Sequence, residues 1–189
     1  SVLQLKRAAV VAKGDADEIL NVCQDILRID PRNKSAMVDK AEALEKLGQP
    51  EEALSTFNSA IMLDGSDPLM HKGRGRVLFS LGKFGEAAEA YDTAFQLGQD
   101  VDALSQKGLA LLMMRNYDLA LDVFDQCVGM DSNVPRYHSD RGRTLASLNR
   151  LEEAVSAFDK ALALDRNDAQ VWKYKGNALY RLGEMENAM

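Results

Sequence analysis

Apolar residues recur along this chain in short blocks separated by polar breaks. Over 36–47 and again over 51–63 they fall three or four positions apart, so each stretch predicts a helix with one buried face. No stretch alternates apolar and polar residues with a period of two, so no strand is predicted. The blocks also repeat one another. Gly48-Gln-Pro-Glu-Glu-Ala-Leu-Ser-Thr-Phe57-Asn-Ser-Ala60 returns as Gly82-Lys-Phe-Gly-Glu-Ala-Ala-Glu-Ala-Tyr91-Asp-Thr-Ala94. It returns again as Arg115-Asn-Tyr-Asp-Leu-Ala120 with Phe124 and Cys127, and as Asn149-Arg-Leu-Glu-Glu-Ala154 with Phe158 and Ala161. The closing phrases Arg28-Ile-Asp-Pro31, Met62-Leu-Asp-Gly65, Gly129-Met-Asp-Ser132 and Ala163-Leu-Asp-Arg166 mark the same register. A recurrence this regular is the mark of a tandem array of helix-turn-helix units.

The units fall at about 1–33, 34–67, 68–100, 101–134, 135–168 and a partial 169–189, read as one continuous array. Gly14, Gly48, Gly82 and Gly183 sit where the first helix of a unit should end in a left-handed residue. Asn149 tolerates the same slot. Arg115 suits it poorly, and Asn116 is expected to take over its role. Because the chain starts inside a helix without Met and stops partway through a second helix, it reads as a fragment of a longer array. Array ends without a capping helix expose apolar surface, so end-to-end self-association is expected.

These residues resemble the tetratricopeptide repeat. That family sets a large, a small and a large residue on the first helix of each unit, and Ala, an aromatic and Ala on the second. Trp172, Gly176 and Leu179 match the first-helix slots, and Ala41, Gly75, Gly108 and Gly142 fill the small slot in other units. The second-helix slots read Ala53/Phe57/Ala60, Ala87/Tyr91/Ala94, Ala120/Phe124/Cys127 and Ala154/Phe158/Ala161. The first unit departs most, with Arg7 in the small slot and Ile19/Cys23/Ile26 in the others. The resemblance implies an all-α, right-handed superhelical solenoid of antiparallel helix pairs, and a non-catalytic scaffold that binds another protein.

Composition narrows the chemistry. The chain has 189 residues and a net charge of −6, which disfavours a nucleic-acid partner. No apolar run has the ~18 residues of a membrane span, so no membrane partner is expected. Two cysteines far apart in sequence form no disulfide framework and fit a reducing, cytoplasmic compartment. His71 and His138 occupy the same early first-helix slot in units at least two steps apart, and read as core residues in the position Trp172 fills later. No metal, cofactor or nucleophile set can be assembled from them. Lys72-Gly-Arg-Gly-Arg76 lacks a phosphate-loop signature and falls inside a helix. A basic ladder, Lys40, Arg74, Lys107, Arg141 and Lys175, precedes each small slot. Asp92 follows Arg74, Asp125 follows Lys107 and Asp159 follows Arg141 at one fixed offset, which predicts an ion pair inside each of those units.

In the family, the first helices line a concave groove. The residues that would face it are Asp39, Glu42 and Glu45, then Lys72, Arg76 and Phe79, then Gln106, Leu109, Leu112 and Met113. Arg136, Asp140 and Arg143 follow, and Lys173, Tyr174, Asn177 and Tyr180 complete the face. The mapping implies an acidic end, an apolar middle and a basic half. Such a groove suits a peptide segment or helix bearing acidic residues around an apolar anchor. One sub-family clamps a C-terminal carboxylate with Lys and Asn, then Asn, then Lys and Arg. Here the frame offers Lys72, Arg76, Gln106, Arg136 and Asp140, and an acid in the last place argues against the clamp. A self-assembly module and the regulatory arm of a longer enzyme remain the alternatives.

Overall fold

A computed structural model describes residues 2–188, with side chains through 183, and no strand occurs among the described residues. The chain divides into two compact units. Residues 1–99 carry α1 (Val2–Lys13), α2 (Ala16–Ile29), α3 (Lys34–Lys46), α4 (Pro50–Leu63), α5 (Pro68–Ser80) and α6 (Phe84–Gly98). Residues 100–189 carry α7 (Val101–Met113), α8 (Tyr117–Met130), α9 (Pro135–Ser147), α10 (Leu151–Leu164) and α11 (Ala169–Ala188). Within each unit every helix packs on the next, and the odd-numbered neighbours α3 and α5, α7 and α9, and α9 and α11 also touch. In each unit the odd helices thus form one layer and the even helices the other.

Side chains cap several helix starts. Asp15 caps α2, while Asn33, Asp67 and Asp100 accept backbone N–H bonds at the starts of α3, α5 and α7. At the turn inside each repeat, Gly48 and Gly82 take positive φ, and Asn149 does so at 61°. Arg115 also adopts φ 61°, and Asn116, at φ −81°, only precedes α8. The expectation that Asn116 replaces Arg115 is therefore corrected. Arg115 N–H bonds the Leu112 carbonyl and Asn116 N–H the Leu111 carbonyl, the same pattern that Gly82 and Lys83 make with Phe79 and Leu78. The turn's hydrogen bonds fix the register, so the residue in the slot absorbs the strain. Gly183 is corrected too: α11 runs through it without a break. Glycine permits a left-handed stop but does not impose one.

The small slots are close-packing positions. A Cβ on Gly75 would stand 2.8 Å from Tyr91, one on Gly108 2.8 Å from Phe124, and one on Gly142 2.6 Å from Phe158. Each glycine lets an odd helix lie directly on the aromatic ring of the even helix that follows it. Gly73 does the same toward the preceding repeat, where its Cβ would meet the Phe57 ring at 2.4 Å. The glycine-rich Lys72–Arg76 stretch is thus a two-sided packing surface inside α5. Phe57, Phe124 and Phe158 are almost wholly buried.

His71 and His138 are buried as the core reading expects, whereas Trp172 in the same slot is 51% exposed, which corrects that reading there; the structure gives all three a further job. Their ring N–H groups donate to the carbonyls of Gly65, Ser132 and Arg166 at 2.9 Å. Each bond ties an odd helix to the loop just before it, a net gain of about 0.5–1.5 kcal/mol.

The ion-pair ladder forms with different partners. Arg141 pairs with Asp125, and Lys175 with Asp159 at 2.6 Å. Both acids were read correctly from the sequence, which pointed to Lys107 for Asp125 and to Arg141 for Asp159. The structure instead gives each acid the ladder base of the next repeat. Asp125 and Asp159 each follow the buried aromatic of their helix by one position, which turns them toward the next odd helix. The pairs therefore fasten repeat to repeat, and at this exposure each is worth about 0–1 kcal/mol.

Candidate functional site

In residues 100–189 the odd-helix layer builds one distinct cleft. Helix α9 supplies Arg143 and Ser147, one turn apart, and α11 supplies Tyr174, Asn177 and Arg181 at helical spacing on one face. With Phe158 at its floor, the cleft encloses about 240 Å³. The Tyr174 ring stacks on Phe158 with centroids 6.0 Å apart, and the Arg143 guanidinium lies over the Tyr174 ring at 5.3 Å from its centroid. Arg143 Nη1 also donates to Asp140 Oδ1 at 2.8 Å. Across the cleft Arg181 donates to the Ala146 carbonyl at 3.0 Å and to Asn149 Oδ1 at 2.9 Å. A guanidinium carries five N–H donors, so both arginines keep donors for a ligand.

Asp140 is 4% exposed, and its Oδ2 is buried without a hydrogen-bond partner. Burial pushes its carboxyl above the usual carboxylate range, against the pull of Arg143 and Arg136. Arg136 lies over the Tyr137 ring at 5.6 Å and donates to Asp102 at 2.5 Å. On α7, Gln106, Leu109 and Leu112 are half-buried and Met113 is 52% exposed. On α11, Lys173 is exposed and Tyr180 is 68% exposed.

In residues 1–99, Arg76 reaches back to α3. Its Nε donates to Glu45 at 2.8 and 2.9 Å, and Nη2 stands 3.6 Å from Glu42. The Glu45 bond holds the guanidinium still more firmly protonated. Lys46 joins these three around a surface hollow of about 340 Å³. Lys72 is half-buried, and Phe79 packs edge-on against Phe84 at 5.1 Å. Arg7 pairs with Asp39 at 2.8 Å beside a wider hollow of about 490 Å³, whose rim includes Lys34, Val38 and Leu69.

Of the residues read from sequence, the structure brings Arg143, Tyr174 and Asn177 into one cleft. Arg76, Arg136 and Arg143 each already hold a carboxylate of the chain. Arg181 and Ser147 were missed. Arg181 stands two turns after Tyr174 and one after Asn177, so helical spacing alone carried the signal. Cys23 and Cys127 are fully buried, and burial pushes both thiols up to about 11, which leaves them protonated and inert at neutral pH. Among the described residues, no three His, Cys, Asp or Glu side chains gather where they could hold a metal ion. No described helix is long and apolar enough to cross a membrane.

Comparison with known proteins places this geometry. Tetratricopeptide-repeat family models match residues 10–77 and 72–135, and a TPR-repeat model matches 142–183. The curated DnaJ homolog subfamily C member 7 homolog of Schizosaccharomyces pombe is 25% identical over 150 residues, covering 70% of this chain and 32% of its own length. The chain therefore spans about a third of that relative. Among solved structures, a tetratricopeptide repeat protein from Parabacteroides merdae superposes with a TM-score of 0.85 at 19% identity, over 99% of this chain and 75% of its own. The MamA protein gives 0.80 at 21% identity, over 89% and 93%. YrrB, described as a TPR protein with an unusual peptide-binding site, gives 0.72 at 22% identity, over 88% and 87%.

Proposed function

Because this chain belongs to the tetratricopeptide-repeat family, whose members generally mediate protein–protein interaction, we propose that it is a non-catalytic scaffold that binds an acidic segment of another protein on its odd-helix layer. The observation that carries this reading is the α9–α11 cleft, where Arg143 lies over the Tyr174 ring, Arg181 lines the same cleft, both keep N–H donors to spare and Asn177 adds an amide. Two guanidinium groups in one cleft with an aromatic face suit a carboxylate set beside an apolar side chain. Leu109, Leu112 and Met113 offer apolar surface on α7 for an anchor, and affinity should come from these few contacts rather than from total area. The buried, protonated thiols fit a reducing, cytoplasmic setting.

The test is binding of the whole chain to an array of acidic and charge-neutralised peptides, with Arg143→Glu/Arg181→Glu beside wild type and Arg28→Glu as a remote control. Arg28 is an exposed residue of α2. The reading expects acidic peptides to bind wild type and the control, and to lose about tenfold or more in affinity on the double reversal. Equal binding by all three proteins at unchanged helicity would refute it.

A further inference from the structure

Asp140, bonded to the cleft residue Arg143, stands out because it is charged, buried and half-satisfied. Its Oδ1 takes the Arg143 bond and its Oδ2 takes none. Charged and titratable groups stand near it on several helices. Arg136 and Arg143 stand on its own helix, the neutral Cys127 thiol on α8, and Tyr174 approaches from α11 through the Arg143 guanidinium. Asp102 on α7 is held by Arg136. Arg143 has a hold besides Asp140, since its guanidinium also lies over the Tyr174 ring at 5.3 Å from the centroid. What Asp140 does supply is a negative charge on the cation that lines the cleft.

Resting on the reading of that cleft as a site for acidic segments, we propose that Asp140 is a built-in competitor for Arg143, an autoinhibitory contact that an incoming carboxylate must share or displace. An arriving acid meets Arg143 with its charge already answered and a second carboxylate beneath it. Cancelling the Asp140 charge leaves Arg143 on its aromatic shelf and turns its full charge toward the cleft. Burial raises the Asp140 carboxyl above that of an exposed aspartate, so acidification relieves its competition for Arg143 earlier than an exposed aspartate would.

The experiment uses the whole chain and a fluorescein-labelled, C-amidated peptide Glu-Leu-Glu-Glu-Leu-Glu, with its all-Gln counterpart as control. Anisotropy titrations are run on wild type and Asp140→Asn at pH 7.5. The expected result at pH 7.5 is about fivefold tighter binding of the Glu peptide by the Asn variant, the factor for removing one partly exposed ion-pair competitor. Equal or weaker binding by a folded Asn variant would show that Asp140 positions Arg143 or is idle, and would overturn the proposal while leaving the acidic-segment reading in place. Failure of wild type and variant alike to prefer the Glu peptide would overturn both. Should the Asn variant lose its helical circular dichroism, Asp140→Ser takes its place, and equal or weaker binding by that folded variant sinks the proposal.

Discussion

Gly142→Ala tests the close packing that the repeat imposes. A methyl group there would sit 2.6 Å from Phe158 Cε1, 2.8 Å from Cδ1 and 3.0 Å from Cζ. Carbon pairs rest at about 3.5–4.0 Å, so the ring must retreat by about an ångström. Phe158 is 1% exposed and stacked against Tyr174, so it can retreat only by displacing its packed neighbours. Overpacking of this kind costs about 1–3 kcal/mol. The helix itself gains about 1 kcal/mol when Gly becomes Ala, which masks part of the loss. Gly176 supplies the correction. It holds the same slot in α11, but a Cβ there meets nothing within 4 Å, so Gly176→Ala should show the propensity gain alone, about 0.5–1 kcal/mol. The difference between the two variants then isolates the steric term at about 1–3 kcal/mol, or about 2–12 °C in Tm for a chain of this length. Urea and thermal unfolding, followed by the fluorescence of the single Trp172 and by circular dichroism, would measure it. Two alanine variants of equal stability would refute the claim that the small slot is filled by a neighbouring ring.

Other positions give independent checks. Arg115→Gly should stabilise the chain by about 0.5–1 kcal/mol, because the φ of 61° strains any residue with a Cβ; a lower urea midpoint would contradict it. His138→Leu should cost about 0.5–1.5 kcal/mol through the lost bond to the Ser132 carbonyl, again read from the urea midpoint. Asp140 carries a pH signature. Its carboxyl is raised in the folded state, so the folded protein binds the proton more tightly than the unfolded one, and this group's contribution to stability falls as pH rises out of the ordinary carboxylate range. Unfolding curves taken between pH 4 and 7 should therefore show Asp140→Asn gaining on wild type as pH rises, and a constant difference would refute the assignment. Asp159→Ala should cost no more than about 1 kcal/mol, since its partner Lys175 holds it at an exposed edge.

Local rules written in the sequence determined the helices, the breaks between them and their repeat. The regular recurrence, the turn glycines at 48 and 82, and the Ala/aromatic/Ala slots depend only on backbone preference and on which face must be buried, and these are properties of neighbouring residues. The acids of the ladder were legible for the same reason. Their partners were not, because the base on the preceding helix and the base on the following one are both sterically reasonable. Only the packing of one repeat on the next selects Arg141 for Asp125 and Lys175 for Asp159. Gly183 looked like a stop because earlier glycines in its slot are stops; whether a helix turns there depends on what it can fold back against. The candidate cleft was half visible. Arg143, Tyr174 and Asn177 follow from helical faces, whereas the stacking of Arg143 on Tyr174, the arrival of Arg181 and the unpaired oxygen of Asp140 arise where α9, α10 and α11 converge. Burial and charge pairing are decided by all the elements that meet at a point, and no single segment of the chain encodes them.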